Sequence, residues 1–354
     1  MAHNHHLYHR YRKVELEKYL NIFNIQSFRH SQKEVIEYVL SGKSCLFLSG
    51  TGSGKSLCYQ LPCLINGKMT IVISPLIALM NEQAKELKNI GINAEILNSQ
   101  QQPQQMDNVQ ILYTTPEQIQ KEFFRKIRER IGLIAIDEAH CLSQWGHDFR
   151  PSYRKLERLN ELFRNIPRLA LTASARRTTE VDIMKTLNLS KCFRNSLTRH
   201  NIFYDIEPRK KGDDQLLNFT GEHEGESGII YCQTRRQTEI ISHKLQKKGL
   251  RAICYHAGQT PAQRNYTENF FRENNIIVVS TIAFGLGINK PDIRYVYHYN
   301  MPKSIENYYQ ETGRAGRDGK LAIAKMTWNR ADFIILNELA KSSNEKKKLN
   351  EMLM

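Results

Sequence analysis

Cys45-Leu46-Phe47-Leu48-Ser49-Gly50-Thr51-Gly52-Ser53-Gly54-Lys55-Ser56 decides how this chain folds. Four apolar residues run into a glycine-rich turn, and a helical pattern opens at Leu57, so the segment reads as strand, loop and helix. Gly50, Thr51, Gly52, Ser53 and Gly54 let the backbone curl until its N–H groups and the helix N-terminus face a phosphate. Lys55 is placed to reach the β- and γ-phosphates, and the Ser56 hydroxyl to ligate Mg²⁺. Ser49 stands where the strict GxxxxGK[ST] pattern has its first glycine. The bland alternative is a glycine-rich turn that holds nothing.

Working outward, short β-branched runs alternate with helical patterns along the whole chain, the pattern of parallel sheets built from βαβ units. A first series comprises 45–48, 70–74, 110–113, 133–137 and 168–172; a second comprises 228–232, 252–255, 276–280, 295–299 and 322–328. Two α/β domains are expected, 11–198 and 199–340, with ligands at the carboxyl ends of the strands. The polar stretch 207–214 reads as an exposed loop and the Gln-rich 100–105 as a surface turn. Residues 1–10, which carry His3, His5, His6 and His9, read as a disordered or tag-like leader, and 341–354 as an exposed tail.

The 354 residues carry 51 Lys+Arg against 36 Asp+Glu, a net charge of +15, with 40% hydrophobic content. That is ample apolar material for two domains, and the basic excess points to a polyanionic partner, nucleic acid above all. No apolar run approaches the ~20 residues that span a bilayer, so no transmembrane helix is expected. Seven cysteines form no CxxC pair and fall mostly in strand-like runs, which fits buried free thiols in a reducing compartment.

Leu133-Ile134-Ala135-Ile136-Asp137-Glu138-Ala139-His140 ends an apolar strand on two carboxylates. Asp137 is assigned to Mg²⁺ and Glu138 to the general base that orients water. Without the phosphate loop upstream, two solvated acids at a strand end would be the better reading; with it, nucleoside triphosphate hydrolysis is favoured. In the second series, Gln310-Glu311-Thr312-Gly313-Arg314-Ala315-Gly316-Arg317 sets two arginines three apart on a helix-like segment. Such arginines can meet a transferred phosphoryl across a closing cleft, a contribution typically of ~10³–10⁵ in turnover. The loop Cys141–Pro151 places Trp145, His147, Phe149 and Arg150 beside the acidic pair, and base stacking on Trp145 or Phe149 would be worth about 1–3 kcal/mol per base. A packed loop whose aromatics belong to the core is the alternative.

These blocks resemble the helicase core of the RecQ family, within superfamily 2. The resemblance covers roughly 23–319 and rests on SLCYQLP, SPLIALM, DEAHCLSQWGHDFRPSY, ALTASA, AFGLGINKPDIR and YYQETGRAGRDG. It implies two tandem RecA-like domains with the nucleotide site in the cleft between them. It also implies ATP and Mg²⁺ as cofactors and 3′-to-5′ movement on single-stranded DNA coupled to unwinding in recombination and repair. Single-stranded and 3′-tailed or branched DNA are the implied partners, in the cytoplasm of a bacterium or the nucleus of a eukaryote. Residue by residue, Arg29 and Gln32 match the adenine-recognising segment, though Ile25 stands where an aromatic often stacks. His140 and the Trp145 loop, with His147, Phe149 and Arg150, match the elements that couple DNA to hydrolysis. Gln310, Arg314 and Arg317 match the arginine motif, with Arg317 the finger and Arg314 its support.

Two departures bear on function. Nothing toward the C-terminus matches the family's zinc-binding module or winged helix, and no cysteine follows Cys254, so no zinc site is expected. The connection between Leu97 and Val109 is shorter than usual. The leading expectation is therefore an ATP-dependent DNA helicase. A DNA-stimulated ATPase that binds DNA but cannot separate strands without further domains stands against it. An RNA helicase of the DEAD-box type shares the architecture, but DEAH, TASA and GRAGRDG differ from that group's motifs.

Overall fold

The computed structural model describes residues 15–337 apart from 104–105, 145–147, 174, 197, 282–283, 285–287, 289 and 335. The expected leader and tail lie outside the described residues. The chain divides into two compact units, Met1–Thr198 and Arg199–Met354, each built on a parallel sheet with helices on both faces.

The first unit holds β1 (Cys45–Leu48), β2 (Met69–Ile73), β3 (Ala94–Leu97), β4 (Ile111–Thr114), β5 (Ile131–Ile136), β6 (Arg168–Thr172) and β7 (Lys191–Arg194). Their order across the sheet is β3-β4-β2-β5-β6-β1-β7, and every pairing is parallel. The inner strands are buried at every position but Gly132, and mostly apolar, because both faces are covered. Cys45 and Phe47 enter one core with Val35, Ile36, Tyr59 and Tyr113, while Leu46 and Leu48 enter the opposite core with Phe124, Tyr153 and Phe163. Burying one such leucine contributes roughly 1.5–3 kcal/mol.

The second unit holds β8 (Ile202–Pro208), β9 (Ser227–Tyr231), β10 (Ala252–Tyr255), β11 (Ile277–Ser280), β12 (Ile293–His298) and β13 (Ala322–Trp328), ordered β10-β11-β9-β12-β13-β8, again wholly parallel. Here too alternate residues divide between two cores, Ile229 and Tyr231 on one face, Ile230 and Cys232 on the other.

The stretch read as an exposed loop at 207–214 is corrected: Glu207 and Pro208 finish β8, and Gly212 opens the helix Gly212–Glu222. Two forces order it. The Arg209 guanidinium, 9% exposed, pairs with buried Asp332 at 2.7 Å, and Asp213 and Asp214 sit in the first helical turn, where the helix dipole favours negative charge. At 100–105 the turn forms as expected over the described part, with the Asn98 side chain accepting from the N–H groups of Gln100 and Gln101. The cysteines are free, and burial pushes the thiols of Cys45 and Cys63 up to about 12. Among the described residues no helix is long and apolar enough to cross a membrane.

Gly228 marks the tightest packing in the second sheet: a Cβ there would lie 2.0 Å from Cζ of the fully buried Tyr295. Gly228→Ala is expected to cost about 1–3 kcal/mol through overpacking. Urea unfolding followed by Trp328 fluorescence, in a Trp145→Phe background, checks this; an unchanged midpoint would contradict it.

Candidate active site

Because all strands of the first sheet run the same way, their carboxyl ends share one edge, and the chemistry-bearing segments leave from it. The glycine-rich loop follows β1, Asp137 follows β5, Ser74 follows β2 and Thr172 ends β6. Asp137 N–H donates to the Ile73 carbonyl at 2.9 Å, so the acid is held one step beyond the ladder of β5 with β2.

The loop is braced from within and from behind. Gly52 and Gly54 adopt φ of 73° and 78°, conformations that favour glycine. Ser53 Oγ donates to the Gly50 carbonyl at 2.7 Å. The Lys55 ammonium donates to the carbonyls of Ser49 at 2.7 Å and Gly50 at 3.1 Å. The helix that follows is short, Leu57–Gln60, because Pro62 starts a new helix, Pro62–Asn66. The loop's own amides, more than a long helix dipole, therefore define its anion-facing character. Gln32, 2% exposed, accepts from Arg29 N–H at 2.7 Å and donates through Nε2 to the carbonyls of Ser53 at 3.2 Å and Gly54 at 2.9 Å. Exposed Arg29 reaches the Gly52 carbonyl at 3.5 Å. Both are expected from sequence to be nucleotide contacts, and both side chains meet the loop that would hold the phosphates.

Burial, and then the neighbouring Glu138 charge, push the Asp137 carboxyl well above the usual carboxylate range, while Lys55 and His140 oppose them. That influence of Lys55 brings phosphate loop and acidic pair into one electrostatic site. Two adjacent, half-buried carboxylates at a strand end, with the Ser56 hydroxyl of the phosphate loop, are the oxygen donors a hard divalent cation takes. Glu138 sits at φ 48° and ψ 44°, a left-handed conformation unusual for a residue with a side chain. This twist turns the chain sharply after β5, with Glu138 Oε2 3.2 Å from His140 Nδ1. The same nitrogen lies 2.9 Å from Thr172 Oγ1, and the Thr172 carbonyl accepts from Ser49 N–H at 3.2 Å. A continuous contact path thus runs from the acidic pair through β6 to the start of the phosphate loop.

Trp145 and His147 lie outside the described residues. Phe149 and Arg150 are half-buried, and Arg150 anchors its end of the loop: it donates to Asp148 at 3.1 Å and to the Pro75 carbonyl at 3.2 Å. His140, Cys141 and Asp148 bring one ligand atom each within 4.8 Å of one another. Hydrogen bonding accounts for the cluster, since burial keeps the Cys141 thiol protonated as a donor to Asp148 at 3.7 Å, and Arg150 already neutralises that carboxylate.

In the second unit, half-buried Gln310 lies on the helix Ile305–Thr312, but the expectation of both arginines on a helix-like segment is corrected. The helix stops at Thr312, and Arg314 and Arg317 fall in the turns beyond, where Gly316 at φ 57° and Gly319 at φ 82° bend the chain. Arg314 is 8% exposed, and Arg317 donates to the Ile288 carbonyl at 2.9 Å. Burial raises the Tyr231 phenol to about 12, while Arg314 and, less strongly, Arg317 oppose the rise, which sets both arginines beside the end of β9.

Sequence reasoning missed the residues that hold these groups. Arg199 donates to the carbonyls of Gly313, Ala315 and Gly316 at 2.8–3.2 Å, and Asn201 to those of Gly316 and Lys320 at 2.8 Å, so together they cradle the arginine turn. Gln83, bonded to the Tyr59 hydroxyl at 2.9 Å, reaches Ser56 Oγ at 3.4 Å. No spacing marks any of them, because each acts across more than 20 residues of chain.

Residues 29–181 match the DEAD/DEAH box helicase family and residues 212–319 the helicase conserved C-terminal domain. The ATP-dependent DNA helicase RecQ of Haemophilus influenzae is 45% identical over 333 residues, covering 90% of this chain and 54% of that one. The chain belongs to the RecQ family of helicases. It spans about half the length of the curated RecQ relatives it matches. Its two units are the tandem RecA-like domains expected of a RecQ core. The helicase Lhr of Mycobacterium smegmatis, solved with single-stranded DNA and AMP-PNP, aligns with a TM-score of 0.71 at 20% identity, covering 91% of this chain and 49% of that one. Dbp5 of S. cerevisiae, solved with RNA and ADP BeF3, aligns at 0.70 and 18%, covering 92% and 90%. The fold is common to a DNA-bound and an RNA-bound helicase, so fold alone does not choose between nucleic acids.

Gln32→Ala removes both side-chain donors that brace the loop of this RecQ-family core. The loss is expected to cost roughly 1–3 kcal/mol locally. Amide hydrogen exchange across residues 50–56 should accelerate; unchanged exchange there would show that the loop holds its shape without Gln32.

Proposed function

We propose that the chain is a Mg²⁺- and ATP-dependent motor that moves 3′ to 5′ along single-stranded DNA and unwinds duplexes in recombination and repair. The observation that carries this reading is the joining of Lys55, Asp137 and Glu138, all half-buried, in one electrostatic site at the end of β5, on a RecQ-type chain. The loop amides from Gly50 to Gly54 hold the phosphates, Lys55 the β- and γ-oxygens, and Arg29 and Gln32 the adenine side. Ser56 and Asp137 would hold Mg²⁺, which supplies charge neutralisation at the phosphate oxygens. Glu138, turned by its strained backbone, orients the attacking water and takes its proton, with His140 beside it as the group that feels the state of the Trp145 loop. Gln310, a neutral amide donor, and Arg314 and Arg317, which bring positive charge for the transferring γ-phosphoryl, are the second domain's contribution. Positioning and electrostatics then carry the catalysis.

The DNA-facing elements are Trp145, His147, Phe149 and Arg150, whose tie to the Pro75 carbonyl supports a link between strand sensing and the nucleotide edge. The net charge of +15 supports a phosphate-tracking, sequence-tolerant mode of binding. Single-stranded and 3′-tailed or branched DNA are the substrates on this reading, and the cytoplasm or nucleus the setting. The RecQ relatives' activity belongs to chains about twice as long, which favours a second reading: hydrolysis and translocation here, with strand separation needing further modules.

Lys55→Ala is expected to abolish DNA-stimulated ATP hydrolysis, a loss of at least about 10²-fold from removal of one preorganised charge. Steady-state hydrolysis with saturating single-stranded DNA reads it out. Intact stimulated hydrolysis in this variant would overturn the mechanism.

A further inference from the structure

We propose that Glu311 and His298 form a buried clamp that positions the arginine turn, making Glu311 a positioning residue for hydrolysis; this rests on the role given above to Arg317. Glu311 lies in the last turn of the helix Ile305–Thr312, one residue after Gln310 and three before Arg314. It is 5% exposed, and its Oε2 lies 2.6 Å from Nε2 of His298, which is 1% exposed and ends β12. His298 is itself fixed. It stacks on Tyr231 at the end of β9, ring centroids 5.3 Å apart and planes within 28°, and the Tyr231 hydroxyl donates to the Phe284 carbonyl at 3.0 Å.

The chemistry of the pair is set by its surroundings. His298 Nδ1 is buried and makes no hydrogen bond among the described residues, so a protonated ring would strand a second N–H there. The neutral Nε2–H tautomer donating to an ionised Glu311 leaves a lone pair at Nδ1 in place of a stranded N–H and gives a charge-assisted bond. Burying a carboxylate carries a large desolvation cost, and an apolar side chain would have joined this helix to the sheet without it. What a directional bond adds is register. Glu311 fixes the near end of the arginine turn to β12, where the Arg314 N–H donates to the Glu311 carbonyl at 3.3 Å, while Arg199 and Asn201 fix the far end. Losing the clamp lets the last helical turn shift against the sheet, and Arg314 and Arg317 shift with it. The nucleotide-binding loop of the first unit is untouched.

The test is DNA-stimulated ATP hydrolysis by the full chain as wild type, Glu311→Leu, Arg317→Ala and the double variant. Glu311→Leu removes the acceptor and is expected to lower kcat by about 10²-fold, as a misplacement near 1 Å does, with KM for ATP within about twofold. In the double variant kcat should fall no further than in Arg317→Ala alone, because one variant removes what the other misplaces. Two further variants guard against simple misfolding: His298→Gln keeps an N–H donor and should retain most of kcat, whereas His298→Leu should fall like Glu311→Leu. Multiplying losses in the double variant, or equal losses in both His298 variants, would overturn the clamp. So would full activity in Glu311→Leu while Arg317→Ala is impaired. Full activity in Arg317→Ala would instead overturn the role of Arg317, and the clamp with it.

Discussion

Thr172 is the point on which the first domain's chemistry depends. Its carbonyl accepts from Ser49 N–H as β1 gives way to the glycine-rich loop, and its hydroxyl meets His140 Nδ1 two residues beyond Glu138. Both contacts exist because β6 lies beside β1 and β5 in parallel register, Leu48 opposite Thr172 and Ile136 opposite Ala170. Apolar burial on both faces fixes that register, since a one-residue slip would exchange the two cores. Hydrophobic packing thereby sets hydrogen-bond geometry, and hydrogen-bond geometry sets where charge lies at the sheet edge.

The second domain solves the same problem differently. Its arginines are not carried on a regular element; they occupy a turn bent by glycines and pinned at the main chain by Arg199 and Asn201. A turn held through its carbonyls keeps the backbone that carries the two arginines fixed. The buried Glu311 and His298 supply the directional contact that an apolar core cannot.

Much of this was legible in residue pattern. Strands 45–48, 168–172, 322–328 and the edge strand 252–255 were read at the bounds observed, and the other inner strands within two residues, because burial on both faces leaves a mostly apolar run. The strands that escaped, β3, β7 and β8, all lie at sheet edges. Lys191-Cys192-Phe193-Arg194 and Ile202-Phe203-Tyr204-Asp205-Ile206-Glu207-Pro208 mix charge with apolar residues because one side meets solvent, so they look like loop or amphipathic segment. The site divides the same way. The phosphate loop and Asp137-Glu138 announce themselves by local spacing, whereas Gln83, Arg199, Asn201 and His298 act over distances no motif records. The placement of Arg314 and Arg317 on a helix failed for a local reason, the glycines at 313, 316 and 319.

The central claim is that binding of a DNA strand and hydrolysis of ATP are one coupled process in this chain. The most direct measurement is the rate of ATP hydrolysis by the purified 354-residue protein with and without single-stranded DNA, beside unwinding of a 3′-tailed duplex by the same preparation. The expected result is hydrolysis that rises strongly on adding the strand, with unwinding if the core suffices and without it if a further module must split the duplex. Hydrolysis that ignores DNA altogether would contradict the claim.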